Sequence, residues 1–327
     1  MLQDYKQHCE ERKEQGIPPL PLSAQQTSDL VELLKSEHEE SELLLELLNE
    51  RIPAGVDQAA YVKAGFLADI TTDEASSPYI SKKEAVMILG TMLGGYNIQP
   101  LIRCLEDAEL GEVAASALSK TLLIFDAFND VLALSETNKN AKTVIDSWAE
   151  GLWFKEKHEI AEQIKLTVYK VPGEINTDDL SPATDAWSRP DIPLHALAMF
   201  KMPREGLEKP LETVEELKKK GNPLVFVGDV VGTGSSRKSA TNSVLWHMGD
   251  DIPCIPNKKE GGFCFGGKIA PIFFNTLEDS GAFPVECDVS KLNMGQEIIF
   301  EPYNGKILDA DSGEVLSTFE LKTPVLL

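Results

Sequence analysis

The sequence lacks the features that mark membrane, secreted and metal-binding proteins. No apolar run in its 327 residues approaches the length of a membrane-spanning helix. Met1 leads directly into a charged stretch, so we expect no signal peptide. The five cysteines are scattered, without a C-x-x-C pair, which favours reduced thiols over disulfides or a self-contained zinc or iron–sulfur site. These absences predict a soluble, cytoplasmic protein.

Net positive charge is also lacking. Against 31 Lys and Arg residues stand 53 Asp and Glu residues, which gives a formal charge of −22. General binding to nucleic acids or to anionic membranes needs a positive field, so the composition argues against both. The contents of hydrophobic residues (42%) and charged residues (26%) are ordinary. The length suits roughly two domains, each with its own core.

Residues 1 to about 155 have the pattern of helices joined by short turns. Ser23 with Gln26, and Ser81 with Glu84, predict capping boxes at two helix starts. The leucines of residues 43–48 have the spacing of a buried helical face. Helices of this length with short Pro/Gly turns favour stacked hairpins, as in a short α-solenoid. This half shows no catalytic constellation, so we expect it to contact other proteins. Helices are predicted, among others, over residues 39–51, 110–128 and 139–153.

The pattern changes to that of an α/β domain near Ala161. A β-branched, alternating stretch predicts a strand over residues 164–171, followed by a polar loop over residues 172–183. A second apolar run, residues 223–227, predicts a buried strand. The C-terminal stretch, residues 296–321, has the pattern of a β-meander with a hairpin turn at Asn304-Gly305. Further short apolar segments at the spacing of βα units are residues 252–255, 269–274 and 283–286.

The chemistry is concentrated in the turn within residues 228–240, between the second strand and a helix predicted over residues 239–248. Gly232 and Gly234 permit positive φ and close approach of a ligand to the backbone. The N-terminus of the helix would offer free N–H groups to an anion. Ser235 and Ser236 add hydroxyl groups, and Arg237 adds a guanidinium suited to a carboxylate or a phosphate. The stretch predicts an oxyanion-binding turn.

An ordinary βα turn, in which Ser235 or Ser236 only caps the helix, is the alternative. A dinucleotide site fits poorly because the third glycine is missing, and a P-loop fails because no Gly-Lys-Ser/Thr closes it. The pair Asp178 and Asp179 could orient a base or cap a helix. Arg189 precedes a proline in a rigid loop. Together with Arg237 it would suit a ligand that carries more than one carboxylate.

Two motifs resemble the signature loops of the aconitase swivel domain. They are Asn176-Thr177-Asp178-Asp179-Leu180-Ser181-Pro182-Ala183 and Gly232-Thr233-Gly234-Ser235-Ser236-Arg237. Residues 185–202 and 268–276 resemble the bacterial aconitase B branch, in which a helical domain and the swivel domain precede the catalytic core. The resemblance covers essentially the whole chain. It implies an α-helical HEAT-like hairpin stack over residues 1–158, followed by an α/β swivel domain of β/β/α layers over residues 159–327.

The resemblance also implies roles for individual residues. Ser235 corresponds to the serine that, as an alkoxide-like base, removes a proton from the substrate carbon. Ser236 and Arg237 correspond to groups that bind a substrate carboxylate, and Arg189 corresponds to the second substrate-binding arginine. Asp178 corresponds to an aspartate that pairs with a histidine of the core. Where other aconitases often have a histidine, this sequence has Asp179.

The implied reaction is the interconversion of citrate and isocitrate through cis-aconitate, with 2-methylisocitrate as a related substrate. In the complete enzyme it depends on a 4Fe–4S cluster, whose core cysteines are absent from this sequence. We therefore expect an N-terminal portion that is inactive alone, with the core domains of the same enzyme as its partners. The helical half would serve self-association or other protein contacts. Alternatives are a stand-alone protein- or mRNA-interaction module, and the swivel subunit of an isopropylmalate-isomerase-like hydro-lyase, which lacks a helical half.

Overall fold

The computed structural model describes residues 1–121, 127–155 and 159–323, with the side chains of Trp153 and Phe154 left out. The chain divides into two compact units. One comprises Met1–His158 with Pro253–Pro256, and the other comprises Glu159–Ile252 with Asn257–Leu327. The predicted domain boundary between residues 158 and 159 adjoins residues 156–158, which lie outside the described ones. Over the described ranges, no helix has both the length and the apolarity needed to cross a membrane.

The first unit is helical, as its local sequence signals predict. Both predicted capping boxes are present: the Ser23 and Ser81 hydroxyls accept from the N3 backbone amides of the following helices. The helices, in chain order, are α1 (Leu2–Glu14), α2 (Ala24–Leu34), α3 (Ser41–Glu50), α4 (Gln58–Thr71), α5 (Lys82–Leu89), α6 (Ile98–Cys104), α7 (Gly111–Ser119), α8 (Phe128–Ser135), α9 (Lys139–Glu150) and α10 (Leu152–Lys155).

The helical core contains most of the predicted leucine stripe. Leu44, Leu47 and Leu48 of α3 are at most 2% exposed, in one cluster with residues of α2 and α4. The helix predicted over residues 110–128 is shorter than expected, because α7 ends at Ser119. Residues 122–126 lie outside the described part of the chain. A separate helix, α8, begins at Phe128.

The second unit is built on a seven-stranded sheet in the order β6-β5-β2-β1-β7-β8-β9. Its central strand β1 runs parallel to β2 and antiparallel to β7. Strands β3 and β4 form a separate two-stranded ribbon. The strands are β1 (Ile164–Asn176), β2 (Leu224–Thr233), β3 (Asp250–Asp251), β4 (Lys259–Glu260), β5 (Phe263–Ile269), β6 (Phe283–Glu286), β7 (Glu297–Glu301), β8 (Lys306–Asp309) and β9 (Val315–Thr318).

Short helices connect the strands of this unit. They are α11 (Thr177–Leu180), a 3₁₀ helix (Ala183–Ser188), α12 (Ile192–Ala196), α13 (Pro210–Lys218), α14 (Lys238–Met248) and α15 (Pro271–Asp279).

The two faces of the sheet line different cores, because side chains alternate along each strand. On β1, Tyr169 belongs to a core shared with α13, α14 and α15. Its neighbour Val168 belongs to the opposite core, which includes Phe265, Phe300 and Phe319. A helical region followed by a mixed α/β domain confirms the predicted fold class.

Two expectations for this unit were wrong. The polar loop expected over residues 172–183 is strand in its first five residues, since β1 continues through an irregularity at Pro172 and Gly173 to Asn176. The helix α11 follows directly. Residues 252–255 form no strand. Pro253 and Pro256 lack the N–H that a ladder needs, and Cys254 between them has a φ of 62°. The next strand of the large sheet is β5, which ends at Ile269. The apolar segment 269–274 therefore belongs mainly to α15, which begins at Pro271.

Candidate functional site

The predicted anion-binding turn joins β2 to α14. Strand β2 ends at Thr233 and α14 begins at Lys238. Gly232 and Gly234 have φ values of 79° and 88°, which side chains of L-residues rarely adopt. A Cβ atom at Gly232 would also lie 2.3 Å from Cγ of Phe273. Glycine at residue 232 therefore lets the turn pass close to α15.

Ser235 and Ser236 lie exposed in this turn. Neither caps the helix: the N-cap residue of α14 is Arg237, and no side chain bonds to the first-turn amides. Within the described residues, the hydroxyl groups of both serines lack a hydrogen-bond partner. The capping alternative is therefore not the arrangement seen, and both hydroxyls face solvent beside a helix N-terminus.

Arg237 and Asp178 are brought together by the structure. The Nη1 atom of Arg237 donates to Oδ1 of Asp178, and Nη2 donates to Oδ2 at 3.2 Å. Nη1 also donates to the Ser181 carbonyl at 3.0 Å. The Arg237 guanidinium lowers the pKa of Asp178, and Arg189 adds to the effect. The ion pair fixes the orientation of the Arg237 guanidinium. The Asp178 side chain remains 56% exposed.

Asp179 has a different task from its neighbour. Its Oδ2 atom accepts from the Asn176 backbone N–H at 2.9 Å, which completes a capping box at the start of α11. The same oxygen lies 3.2 Å from Nη1 of Arg204. Thr177, between the cap and Asp178, donates its hydroxyl to the Ser235 carbonyl at 2.6 Å. Asp179 thus anchors α11, and Thr177 ties α11 to the serine turn.

Arg189 follows the 3₁₀ helix and is half-buried. Its Nε atom is buried, with no hydrogen-bond partner in the described part of the chain. Its positive charge lowers the pKa of both Asp178 and His195. The second predicted arginine therefore lies in the same electrostatic neighbourhood as the Asp178–Arg237 pair.

A small cavity adjoins the turn. Its volume is ≈ 110 Å³, and Ser236 and Arg237 line one side while Ile272, Phe273 and Thr276 of α15 line another. A polar edge and an apolar wall meet here. The cavity has room for a small group of a ligand next to the serine turn.

Sequence reasoning missed the residues that hold these loops together. Ser181, which follows α11, and Ser188, in the 3₁₀ helix, contact the His195 ring, and Ser239 of α14 contacts Ser181. No local pattern links residues so far apart in the chain. Arg204, which donates to the carbonyls of Pro172 and Glu174, was missed for the same reason.

The described residues do not fit an iron–sulfur cluster. They contain no group of three or more His, Cys, Asp or Glu side chains that could hold a metal ion. Cys264 and Cys287 are buried in the sheet unit. Burial raises the pKa of Cys287 to about 11, which favours the thiol over the thiolate that binds iron. A cluster would need ligands from outside this set.

Two family models match the chain in succession. The model described as "Aconitate B N-terminal domain" matches residues 4–154, and "Aconitate hydratase 2 N-terminus" matches residues 166–327. A crystal structure of a 3-isopropylmalate dehydratase from Methanocaldococcus jannaschii gives a TM-score of 0.35 at 17% identity, over 49% of this chain and 83% of that one. That likeness is too weak to support any argument.

Curated relatives match over the full length of the chain. Aconitate hydratase B of Pseudomonas aeruginosa is 61% identical, and that of Escherichia coli is 59% identical; each match covers 100% of this chain. The enzyme of Helicobacter pylori is 51% identical over the same share. The chain spans 39% of the first two relatives and 38% of the third. It belongs to the aconitate hydratase B family and corresponds to the N-terminal helical and α/β region of its members.

Proposed function

We propose that this chain supplies the proton-abstracting base and part of the tricarboxylate site of an aconitate hydratase, which interconverts citrate and isocitrate through cis-aconitate. Ser235 is the base, and Arg189, Ser236 and Arg237 bind substrate carboxylates. The observation that carries this is the arrangement of the β2–α14 turn. Two exposed hydroxyls stand at an uncapped helix N-terminus, beside an arginine held by Asp178.

The chemistry expected of each group follows from its position. Dehydration of a tricarboxylate removes a proton from one carbon and hydroxide from its neighbour. Ser235 Oγ, as the alkoxide that the helix N-terminus and the Arg237 guanidinium would stabilise, accepts the proton and becomes a hydroxyl. In the complete enzyme the hydroxide would pass to the cluster. Arg237 has its fork oriented by Asp178 and the Ser181 carbonyl. Arg189, whose buried Nε has no hydrogen-bond partner among the described residues, can bind a second carboxylate.

The chain alone should be inactive for two reasons. The described residues do not fit a cluster, and the residues proposed to bind substrate would contact only part of a tricarboxylate. The test adds citrate, isocitrate or 2-methylisocitrate to the chain after reconstitution with iron and sulfide. Formation of cis-aconitate, or of its methyl analogue, would be followed by ultraviolet absorbance. We expect none from the chain alone. Clear turnover would overturn this part of the proposal.

Ser235→Ala in the complete enzyme tests the assigned base. We expect kcat to fall by at least about a thousand-fold with the cluster spectrum unchanged, since a base contributes roughly that factor. Ser243→Ala is the matched control: this serine of α14 is 1% exposed, and its hydroxyl donates to the Ser239 carbonyl at 3.0 Å within the helix and not to Ser235, Ser236 or Arg237. Near-normal turnover of Ser235→Ala would show that the base is misassigned.

A further inference from the structure

His195 lies in α12 and is 2% exposed. Both of its ring nitrogens contact serine hydroxyls. Nε2 is 2.8 Å from Ser181 Oγ, and Nδ1 is 2.8 Å from Ser188 Oγ. Ser181 Oγ is in turn 2.7 Å from Ser239 Oγ. The result is a buried chain of hydrogen bonds that links four side chains.

The direction of every proton in this chain can be worked out. Ser188 donates its only hydroxyl proton to the Asp185 carbonyl at 2.7 Å, so its oxygen must accept from Nδ1–H of His195. In the neutral ring, Nε2 is then an acceptor and takes the Ser181 hydroxyl proton. Ser181 Oγ has no proton left for Ser239, which donates to it. The chain therefore runs from Ser239 through Ser181 and His195 to Ser188.

The same chain of hydrogen bonds connects the two candidate substrate-binding arginines. Ser181 accepts from Arg237 Nη1 through its carbonyl at 3.0 Å, while its hydroxyl bonds to His195. Ser188, on the other side of the ring, directly precedes Arg189. His195 thus bridges the loop that holds Arg237 and the loop that carries Arg189.

We propose that His195, as the neutral Nδ1–H tautomer, is the positioning residue that fixes Arg237 and Arg189 relative to each other. Two carboxylates of one ligand can be bound together only if the two guanidinium groups keep a set separation. The ring sets that separation through Ser181 and Ser188, without touching substrate. This inference rests on the proposed function for the meaning of the two arginines, but not for the hydrogen-bond chain itself.

The charges around His195 favour its neutral form. Burial is the largest cause of its lowered pKa, and the positive charge of Arg189 lowers it further. The Asp185 carbonyl and carboxylate raise it, but that carboxylate is paired with Lys201 at 2.9 Å. From α14, His247 points its Nε2–H at the Ala196 carbonyl, and its own pKa is lowered to about 4, so it adds no positive charge near pH 7. Protonation of His195 at Nε2 would reverse its bond to Ser181, leave its bond to Ser188 unchanged, and place a second cation beside Arg189.

The first test uses the 327-residue protein itself and does not depend on enzymatic turnover. Two-bond ¹H–¹⁵N spectra of histidine-labelled protein report the tautomer of each of the five histidines. We expect His195 to show Nδ1–H and to stay neutral below its ordinary pKa. An Nε2–H signal, or titration near pH 6.5, would overturn the inference. In His195→Asn and His195→Gln, the Nε–H signals of Arg189 and Arg237 should shift, whereas in Ser243→Ala they should not.

The second test measures kinetics in the complete enzyme. His195→Asn places an amide group near the position of Nδ1 and loses the hydrogen bond to Ser181. His195→Gln places an amide group near the position of Nε2 and loses the hydrogen bond to Ser188. Each should raise the KM for isocitrate about ten-fold, the factor that corresponds to about 1.4 kcal/mol, with kcat changed much less. Each should also alter the acid limb of the kcat/KM profile. A fall in melting temperature with unchanged KM and pH profile would make His195 merely structural and overturn the inference.

The two proposals fail in different ways. Normal turnover of Ser235→Ala with the expected His195 tautomer and arginine shifts overturns the catalytic assignment and supports the positioning role. Loss of turnover in Ser235→Ala with unchanged arginine signals in both His195 variants supports the catalytic assignment and overturns the positioning role. If a His195 variant does not fold, Ser188→Ala replaces it with the same expected shift of the Arg189 signal.

Discussion

At the scale of single residues, the site shows how two adjacent carboxylates acquire different tasks. Asp178 and Asp179 are neighbours in α11, yet one holds Arg237 and the other caps the helix and holds Arg204. The difference comes from the direction in which each side chain leaves a single helical turn. Because both carboxylates are partly exposed, their ion pairs should contribute geometry more than stability.

His247 gives the residue-scale prediction. Its pKa is lowered to about 4, chiefly by burial, against an unfolded value near 6.5. As pH falls from about 6.5 to about 4, the unfolded chain gains a proton that the folded chain does not bind, so the free energy of unfolding falls. Relative to His247→Gln, the native protein should lose on the order of 3 kcal/mol over this window.

The measurement is urea unfolding as a function of pH, followed by hydrogen exchange of the α14 amides. His8→Gln, a change in α1 of the other unit, serves as the control and should leave the pH dependence of α14 unchanged. Identical pH dependence for the native protein and His247→Gln would contradict the prediction.

At the scale of elements, the β2–α14 turn depends on one glycine more than on the other. Gly232→Ala adds strain at positive φ and a Cβ atom 2.3 Å from the Phe273 ring, so we expect a loss of roughly 3 kcal/mol or more. Gly234→Ala is the matched control, with similar φ but no outside atom closer than 3.5 Å. It should cost only about 1–2 kcal/mol. Urea unfolding of the two variants tests this, and equal losses would contradict it.

Sequence reasoning succeeded for elements whose signals are local. The capping boxes and leucine stripe of the helical unit depend on residues within one or two turns, and they predicted α2, α3 and α5 correctly. Strand β5 escaped detection because Gly266 and Gly267 interrupt its apolar run. The hydrogen-bond chain around His195 was equally hidden, since Ser239 of α14 meets Ser181 and His195 only through the fold.

At the scale of the whole molecule, the charge of −22 should oppose compactness through self-repulsion. Raising potassium chloride from about 0.02 M to about 0.2 M shortens the screening length several-fold, and the thermal midpoint should rise by a few degrees. The control is the same salt series near the isoelectric pH, where the rise should vanish. A midpoint that falls with salt near neutral pH would contradict this. The same charge opposes RNA phosphates, so it gives the mRNA-interaction alternative no electrostatic support.

The position of β1 in the sheet bears on the order in which the protein is made and folded. Its first residues pair with β7, so that Leu166 lies opposite Ile298, while Val168 lies opposite Val225 of β2. On the ribosome, the N-terminal helices can form from contacts near in sequence. The β7 side of β1, by contrast, stays an open edge until residues 297–301 have emerged. The α/β unit should therefore reach its native state only after β7 has emerged, and nascent chains arrested before β7 should be the species that chaperones retain.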